Sequence, residues 1–123
     1  MNAIWVFIGG GLGSLARYGI SLGALRMGFW KSSFPWATLI ANLAACAIMA
    51  ALLLWTETQE ANNKWRLMGM IGFCGGLSTF STFSLENYRL LENGFYSYLA
   101  ANILLNTLGC LAIFWIYHRV MAQ

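Results

Sequence analysis

Gly72-Phe73-Cys74-Gly75-Gly76-Leu77-Ser78-Thr79-Phe80-Ser81-Thr82-Phe83-Ser84 decides how this chain is read. On propensity it is a poor helix, with adjacent glycines and five hydroxyl side chains. Yet it lies inside a segment, Trp65 to Arg89, that is otherwise apolar enough to cross a membrane. In a bilayer every backbone polar group must find a partner within the protein. Broken helix at that depth survives only beside protein or along a water-lined path. The sequence therefore predicts a break over Gly75 to Ser78, with a helix restarting at Phe80.

The rest of the composition agrees with a membrane setting. Of 123 residues, 59% are hydrophobic and 9% charged, against about 25% charged in an average soluble domain. The formal charge of +3 is spread over isolated residues and forms no basic run, which leaves nucleic-acid binding without support. Three cysteines, Cys46, Cys74 and Cys110, fall in apolar segments at spacings that fit no metal site, and read as small packing residues. The first apolar segment lacks the flanks of a cleavable signal.

Four segments reach the roughly 20 residues that a crossing needs: 3–25, 36–55, 65–89 and 95–117. The expectation is a single all-α integral membrane domain over 1–123, its third helix broken near the middle. The first span carries Gly9 and Gly13 at the small-xxx-small spacing that lets helices approach closely. Thr38 and Asn42 share a face of the second, which has tryptophans near both ends. A polar loop holds Glu57, Glu60, Asn62 and Asn63, and Glu92-Asn93-Gly94 reads as a tight turn. Tyr98, Asn102 and Asn106 form a polar stripe at i, i+4, i+8 along the fourth span.

Orientation in a membrane follows Lys/Arg asymmetry, and here there is none. Lys64, Arg66 and Arg119 fall on the side of the termini; Arg26, Lys31 and Arg89 fall on the other. A chain without that bias can insert both ways up, and two-fold dimers are the commonest closed assembly. The balance points to an antiparallel dual-topology homodimer; the plainer alternative is a weakly biased chain oriented by partners.

Nothing resembles an active site. His118 sits at the interfacial end of the last span, and Glu86 near Arg89 reads as a vestibule or interfacial ion pair. No nucleophile–base pair or metal-ligand cluster stands out. What remains is a set of donors at membrane depth. Arg17 is costly there, about 2.5–3.5 kcal/mol if central, so it faces water or a partner, or else snorkels. Asn42, Asn102 and Asn106 supply amide donors, and interhelical glue is the competing use. No negative charge lies at mid-span, which favours a small anion as the permeant species. Phe80 and Phe83, interleaved with Ser81, Thr82 and Ser84, share a face. Such pairs are more often core or lipid contacts, but ring edges are positive and can stabilise a dehydrated anion without trapping it. Freed carbonyls near Gly75 and Ser78 can hold a cation, as unwound backbone does elsewhere.

Three stretches carry a family likeness. Gly9-Gly10-Gly11-Leu12-Gly13-Ser14-Leu15-Ala16-Arg17-Tyr18, Thr38-Leu39-Ile40-Ala41-Asn42 and Gly72 to Glu86 resemble the opening, second-span and broken-helix motifs of the Fluc/CrcB fluoride channels. The likeness runs over essentially the whole chain. It implies a passive channel in the cell's inner (plasma) membrane that lets toxic cytoplasmic fluoride leave. It also implies an antiparallel homodimer with two pores, each lined by both subunits. Phe80, Phe83 and Asn42 match the residues that face the ion. Thr38, Tyr98, Asn102 and Asn106 match the polar track, and Arg17 the vestibule. Gly75 and Ser78 match the carbonyls that cage a structural Na+ on the two-fold axis. Ser78 stands where threonine is usual, Ala45 where glycine is common, and Asn102 and Asn106 where serine is frequent. The rival reading, a small multidrug-resistance type proton-coupled exporter, needs a membrane-embedded carboxylate in the first span. No acidic residue precedes Glu57. A structural subunit of a larger complex is the other alternative.

Overall fold

The computed structural model describes residues 1–58 and 63–122. The polar loop expected at 56–64 falls outside them at 59–62. Among the described residues the chain is helical throughout, with no strand. Helix α1 is Asn2–Arg26 and α2 is Trp36–Thr58. Segment α3 covers 63–77, α4 is Phe80–Glu92 and α5 is Tyr96–Met121. At about 1.5 Å per residue, α1, α2 and α5 are each long enough to cross a bilayer, and each is apolar enough to do so. Segments α3 and α4 together form a bent helix in place of a fourth continuous one.

The turns are built by identifiable residues. Beyond α1, Gly28 takes a left-handed φ of 80° and leads into a 3-10 turn, Phe29–Lys31. The Ser32 hydroxyl then accepts from the Phe34 amide at 3.1 Å, just before α2. Between α4 and α5, Gly94 has φ 75°. Its N–H donates to the Leu91 carbonyl at 3.1 Å, and the Phe95 N–H reaches Leu90 at 2.9 Å. This paired closure is a Schellman cap, which requires the left-handed residue that Gly94 supplies.

Segment α3 is the irregular element. Over Arg66–Cys74 it is wound wide, as π-helix, then tightens over Gly75–Leu77. The break comes at Ser78 (ψ 154°) and Thr79 (φ −149°, ψ 115°), both extended. The sequence reading placed it at Gly75 to Ser78. That position is corrected: Gly75 and Gly76 are helical, and the chain unwinds beyond them. The physical reason is that Gly76, like Gly72 before it, serves approach more than flexibility. A Cβ at Gly76 would run into the Gly10 carbonyl, and one at Gly72 would lie 2.8 Å from the Val6 carbonyl oxygen. From the other side, Gly9 and Gly13 are buried against the backbone of Met68 and Phe73. Helix α1 thus packs on α3 backbone to backbone, as small-residue stripes permit in membranes.

The interior is correspondingly small. Ala41, Ala45 and Leu77 are buried, with Ala16, Ile20, Ala44, Ile48 and Phe73 packed around them. Most large apolar side chains point outward, among them Phe7, Leu15, Ile71, Leu108 and Trp115. In water such a surface would aggregate; against lipid or protein it is the expected inversion.

Candidate functional site

Helices α2 and α5 run parallel, in a register that sets Phe34, just before α2, against Tyr98 and Asn42 against Asn106. Phe34 meets Tyr98 ring edge to face at 6.1 Å. Two turns on, the Asn42 amide donates to Asn106 Oδ1 at 2.8 Å. Gly109 is the small residue that lets the two helices come this close, for a Cβ there would lie 2.7 Å from a Leu43 methyl.

The break in α3–α4 attaches to this ladder. Once Thr79 is extended, its N–H has no helical acceptor, and a buried amide left unpaired costs about 1–3 kcal/mol. Asn42 Oδ1 takes it at 2.9 Å. That contact fixes which end of the Asn42 amide is oxygen, and the rest follows head to tail. Asn42 donates to Asn106, Asn106 Nδ2 to Asn102 Oδ1 at 2.9 Å, and Asn102 Nδ2 to Asn87 Oδ1 at 2.9 Å. Thr79 also caps α4: its hydroxyl oxygen accepts from the Thr82 amide at 3.3 Å, a standard N-cap geometry. The amino end of α4, with the roughly half positive charge of a helix dipole, therefore sits beside the Asn42 side chain.

These contacts have a consequence for the carbonyls. In unbroken helix Thr79 N–H would bond Gly75 O, and Thr82 N–H would bond Ser78 O. Both amides are instead held by side chains, Asn42 and Thr79 respectively. The Gly75 and Ser78 carbonyls are thereby deprived of their usual helical partners. A Cβ at Gly75 would meet nothing within 4 Å, and Gly75 and Ser78 both line an open cleft with Ala45, Met49 and Phe114. Carbonyl oxygens released in this way are ligands of the kind hard cations take.

Two further clefts flank the break. The first, about 270 Å3, is lined by Asn42, Ser78, Thr79, Phe80, Phe83 and Asn106, with Cys46, Thr107 and Cys110 completing it. The second, about 290 Å3, is lined by Ser14, Arg17, Tyr18, Ser21, Ala37, Thr38, Thr79 and Thr82. Thr79 borders both. Among the described residues no acidic side chain lines either one.

The residues singled out in the sequence thus separate. Asn42, Phe80, Phe83 and Asn106 share the first cleft, while Arg17, Thr38 and Thr82 share the second. The Phe80 and Phe83 rings lie 5.9 Å apart at 39°. Phe80 is 80% exposed on this chain. Ser81 and Ser84 are exposed and line neither cleft. Asn102 is 0% exposed and acts through Asn106, and Tyr98 lies away from both clefts, between Phe34 and Phe95. Glu86 bonds Thr38 Oγ1 at 2.7 Å through Oε1, where the sequence suggested Arg89, and its Oε2 is buried without a hydrogen-bond partner. Thr79 and Asn87 were not singled out. The N-cap preference of a threonine just before a restarting helix was available for Thr79; Asn87 gave no signal.

A bent helix and three apolar helices define a small all-α membrane protein, with amides, hydroxyls and aromatic rings lining the clefts beside the bend. The sequence matches the family described as CrcB-like protein, Camphor Resistance (CrcB), over residues 4–117. The chain belongs to that family. It is 37% identical over 118 residues to a Phocaeicola vulgatus protein named fluoride-specific ion channel FluC, covering 93% of this chain and 96% of the relative. Proteins of the same name from Coxiella burnetii and an Enterobacter species are each 40% identical, over 94% and 96% of this chain and 94% of each relative. These relatives are named as channels, not as enzymes.

Proposed function

We propose that this protein is a fluoride-selective channel through which cytoplasmic fluoride leaves the cell passively. The observation that carries this is Asn42. Its oxygen is committed to the Thr79 amide and one hydrogen to Asn106. The second amide hydrogen remains for an ion in a cleft walled by Phe80 and Phe83. Fluoride is small and strongly hydrated, so it gives up water only where donors replace it. An amide N–H, ring edges and a helix amino end do so without a full positive charge that would hold the ion too long.

In this reading the α3–α4 segment makes a fourth crossing, and two copies assemble antiparallel in the inner membrane. The balanced Lys/Arg distribution supports that arrangement. So does the exposure of Phe80, which a second copy would cover to complete each of two pores. Arg17 with Thr38 serves as the aqueous vestibule beyond Thr79. Gly75 and Ser78 would hold Na+ through their carbonyls, and the ion would supply fixed positive charge that keeps the break open. Among the described residues no Asp, Glu or His lines either cleft, which supports passive conduction over coupled exchange.

The test is purified protein in liposomes loaded with fluoride and read with a fluoride electrode. Rapid fluoride efflux with little chloride efflux is expected; equal chloride flux would overturn the proposal.

A further inference from the structure

One rung of the α2–α5 ladder plays no part in the anion reading. Four residues beyond Asn42 and Asn106, in the same register of 64, stand Cys46 and Cys110. We infer that this thiol pair is a binding site for a soft d10 metal ion that takes two sulfur ligands, with Hg2+ as the probe. Occupancy of the site closes the adjoining anion cleft, a consequence that rests on the function proposed above.

The register brings the sulfurs together. Asn42 and Asn106 are hydrogen-bonded at 2.8 Å, and one turn along the same faces Cys46 and Cys110 line one cleft together. The Cys110 thiol also reaches the Asn42 carbonyl at 3.8 Å. Gly109, next to Cys110, holds the helices close at Leu43, so the pair is set by backbone approach and not by flexible side chains. Both cysteines are free and partly exposed, and both line the 270 Å3 cleft through which a ligand reaches them. Cys74 is buried and lines only the neighbouring cleft, which Cys46 also borders.

The donor set selects the ion. Among the described residues no three of His, Cys, Asp and Glu come together, so a four-coordinate zinc site is not available. Two thiols lining one cleft suit soft ions content with two ligands. The step balances without a redox partner: two R–SH and Hg2+ give R–S–Hg–S–R and two H+. Two S–H bonds break, two S–Hg bonds form, and both protons pass to water. The product carries no net charge, which an apolar cleft tolerates where a pair of bare thiolates would not be. The bound ion then stands one helical turn from the Asn42 amide, beside Phe83.

The experiment titrates the monodisperse, detergent-purified protein with HgCl2 while recording sulfur-to-mercury charge-transfer absorbance and proton release. The expected result is one ion per chain and two protons per ion. Cys46→Ser and Cys110→Ser each abolish the saturable one-to-one band, and Cys74→Ser keeps it. A band of wild-type strength in either Cys46→Ser or Cys110→Ser, or no band in the unaltered protein, overturns the site. In liposomes, the same addition removes the fluoride flux and excess dithiothreitol restores it, each variant compared with its own flux beforehand. Undiminished flux with the site filled overturns the occlusion. If the electrode shows no fluoride flux from the start while the band forms, the channel reading fails and the metal site stands.

Discussion

Replacing Asn42 by Asp separates the structural role of this side chain from its role toward the ion. The carboxylate keeps an acceptor for the Thr79 amide, the contact made at 2.9 Å by Oδ1. It loses both amide hydrogens, and its second oxygen faces Asn106 Oδ1, the present acceptor at 2.8 Å. One hydrogen bond is lost and two oxygens are set against each other, a destabilisation of about 1–3 kcal/mol. The effect on an anion is larger. A carboxylate charge ~4 Å from a permeating anion, at an effective dielectric of about 20, repels it by about 4 kcal/mol. At about 1.4 kcal/mol per factor of ten, that is roughly a thousandfold fall in flux. Asn42→Ala removes the donor without adding charge, but it orphans the buried Thr79 N–H. It should therefore lose more stability than Asn42→Asp and less flux. The assay is fluoride efflux from liposomes above pH 7, beside thermal unfolding of the same preparations. Wild-type flux in Asn42→Asp would refute the placement of Asn42 against the ion.

Thr79→Val removes the hydroxyl that caps α4 and should lower stability by about 1 kcal/mol, read as a lower thermal midpoint in detergent. Gly76→Ala drives a methyl into the Gly10 carbonyl and should destabilise the α1–α3 contact by about 1–3 kcal/mol. Gly19→Ala, where a Cβ meets nothing within 4 Å, should be silent in the same measurement. Phe83→Ile should suppress fluoride flux while the protein elutes from size exclusion as before; unchanged flux would reduce the ring to packing. Exchange of Na+ for N-methylglucamine throughout should lower fluoride flux if Gly75 and Ser78 hold the cation, and flux indifferent to Na+ would count against them.

Much of the fold was legible because hydropathy reports it directly. Spans read as 3–25, 36–55 and 95–117 are the helices Asn2–Arg26, Trp36–Thr58 and Tyr96–Met121. The third segment was legible as broken but not at the right residues. Gly75 and Gly76 looked like the weak point on propensity alone, yet a glycine pressed against a neighbouring carbonyl stabilises a helix contact. That neighbour, Gly10, is invisible to local reading. The stripe Tyr98-Asn102-Asn106 was a real face, but periodicity reveals which residues share a face and not what that face meets. Asn102 meets Asn87 and Tyr98 meets Phe34, pairings set by tertiary register. Asn87 stayed hidden for the same reason, and Thr79 because its importance begins only once the helix ahead of it has ended.

The amides from Asn42 to Asn87 have one further property as a set. Turning any one of them over would bring donor against donor on one side and acceptor against acceptor on the other. Their orientations therefore change together or not at all, as in a row of compass needles. A backbone N–H can donate but never accept, so Thr79 admits only one of the two settings. The row is in effect a one-bit memory written by the backbone, at the break and again where the Asn102 carbonyl accepts from Asn106 Nδ2 at 2.9 Å. The partial charge that an ion meets at Asn42 thus follows from the unwinding of Ser78 and Thr79, and is held in place by the amides of Asn106, Asn102 and Asn87 behind it.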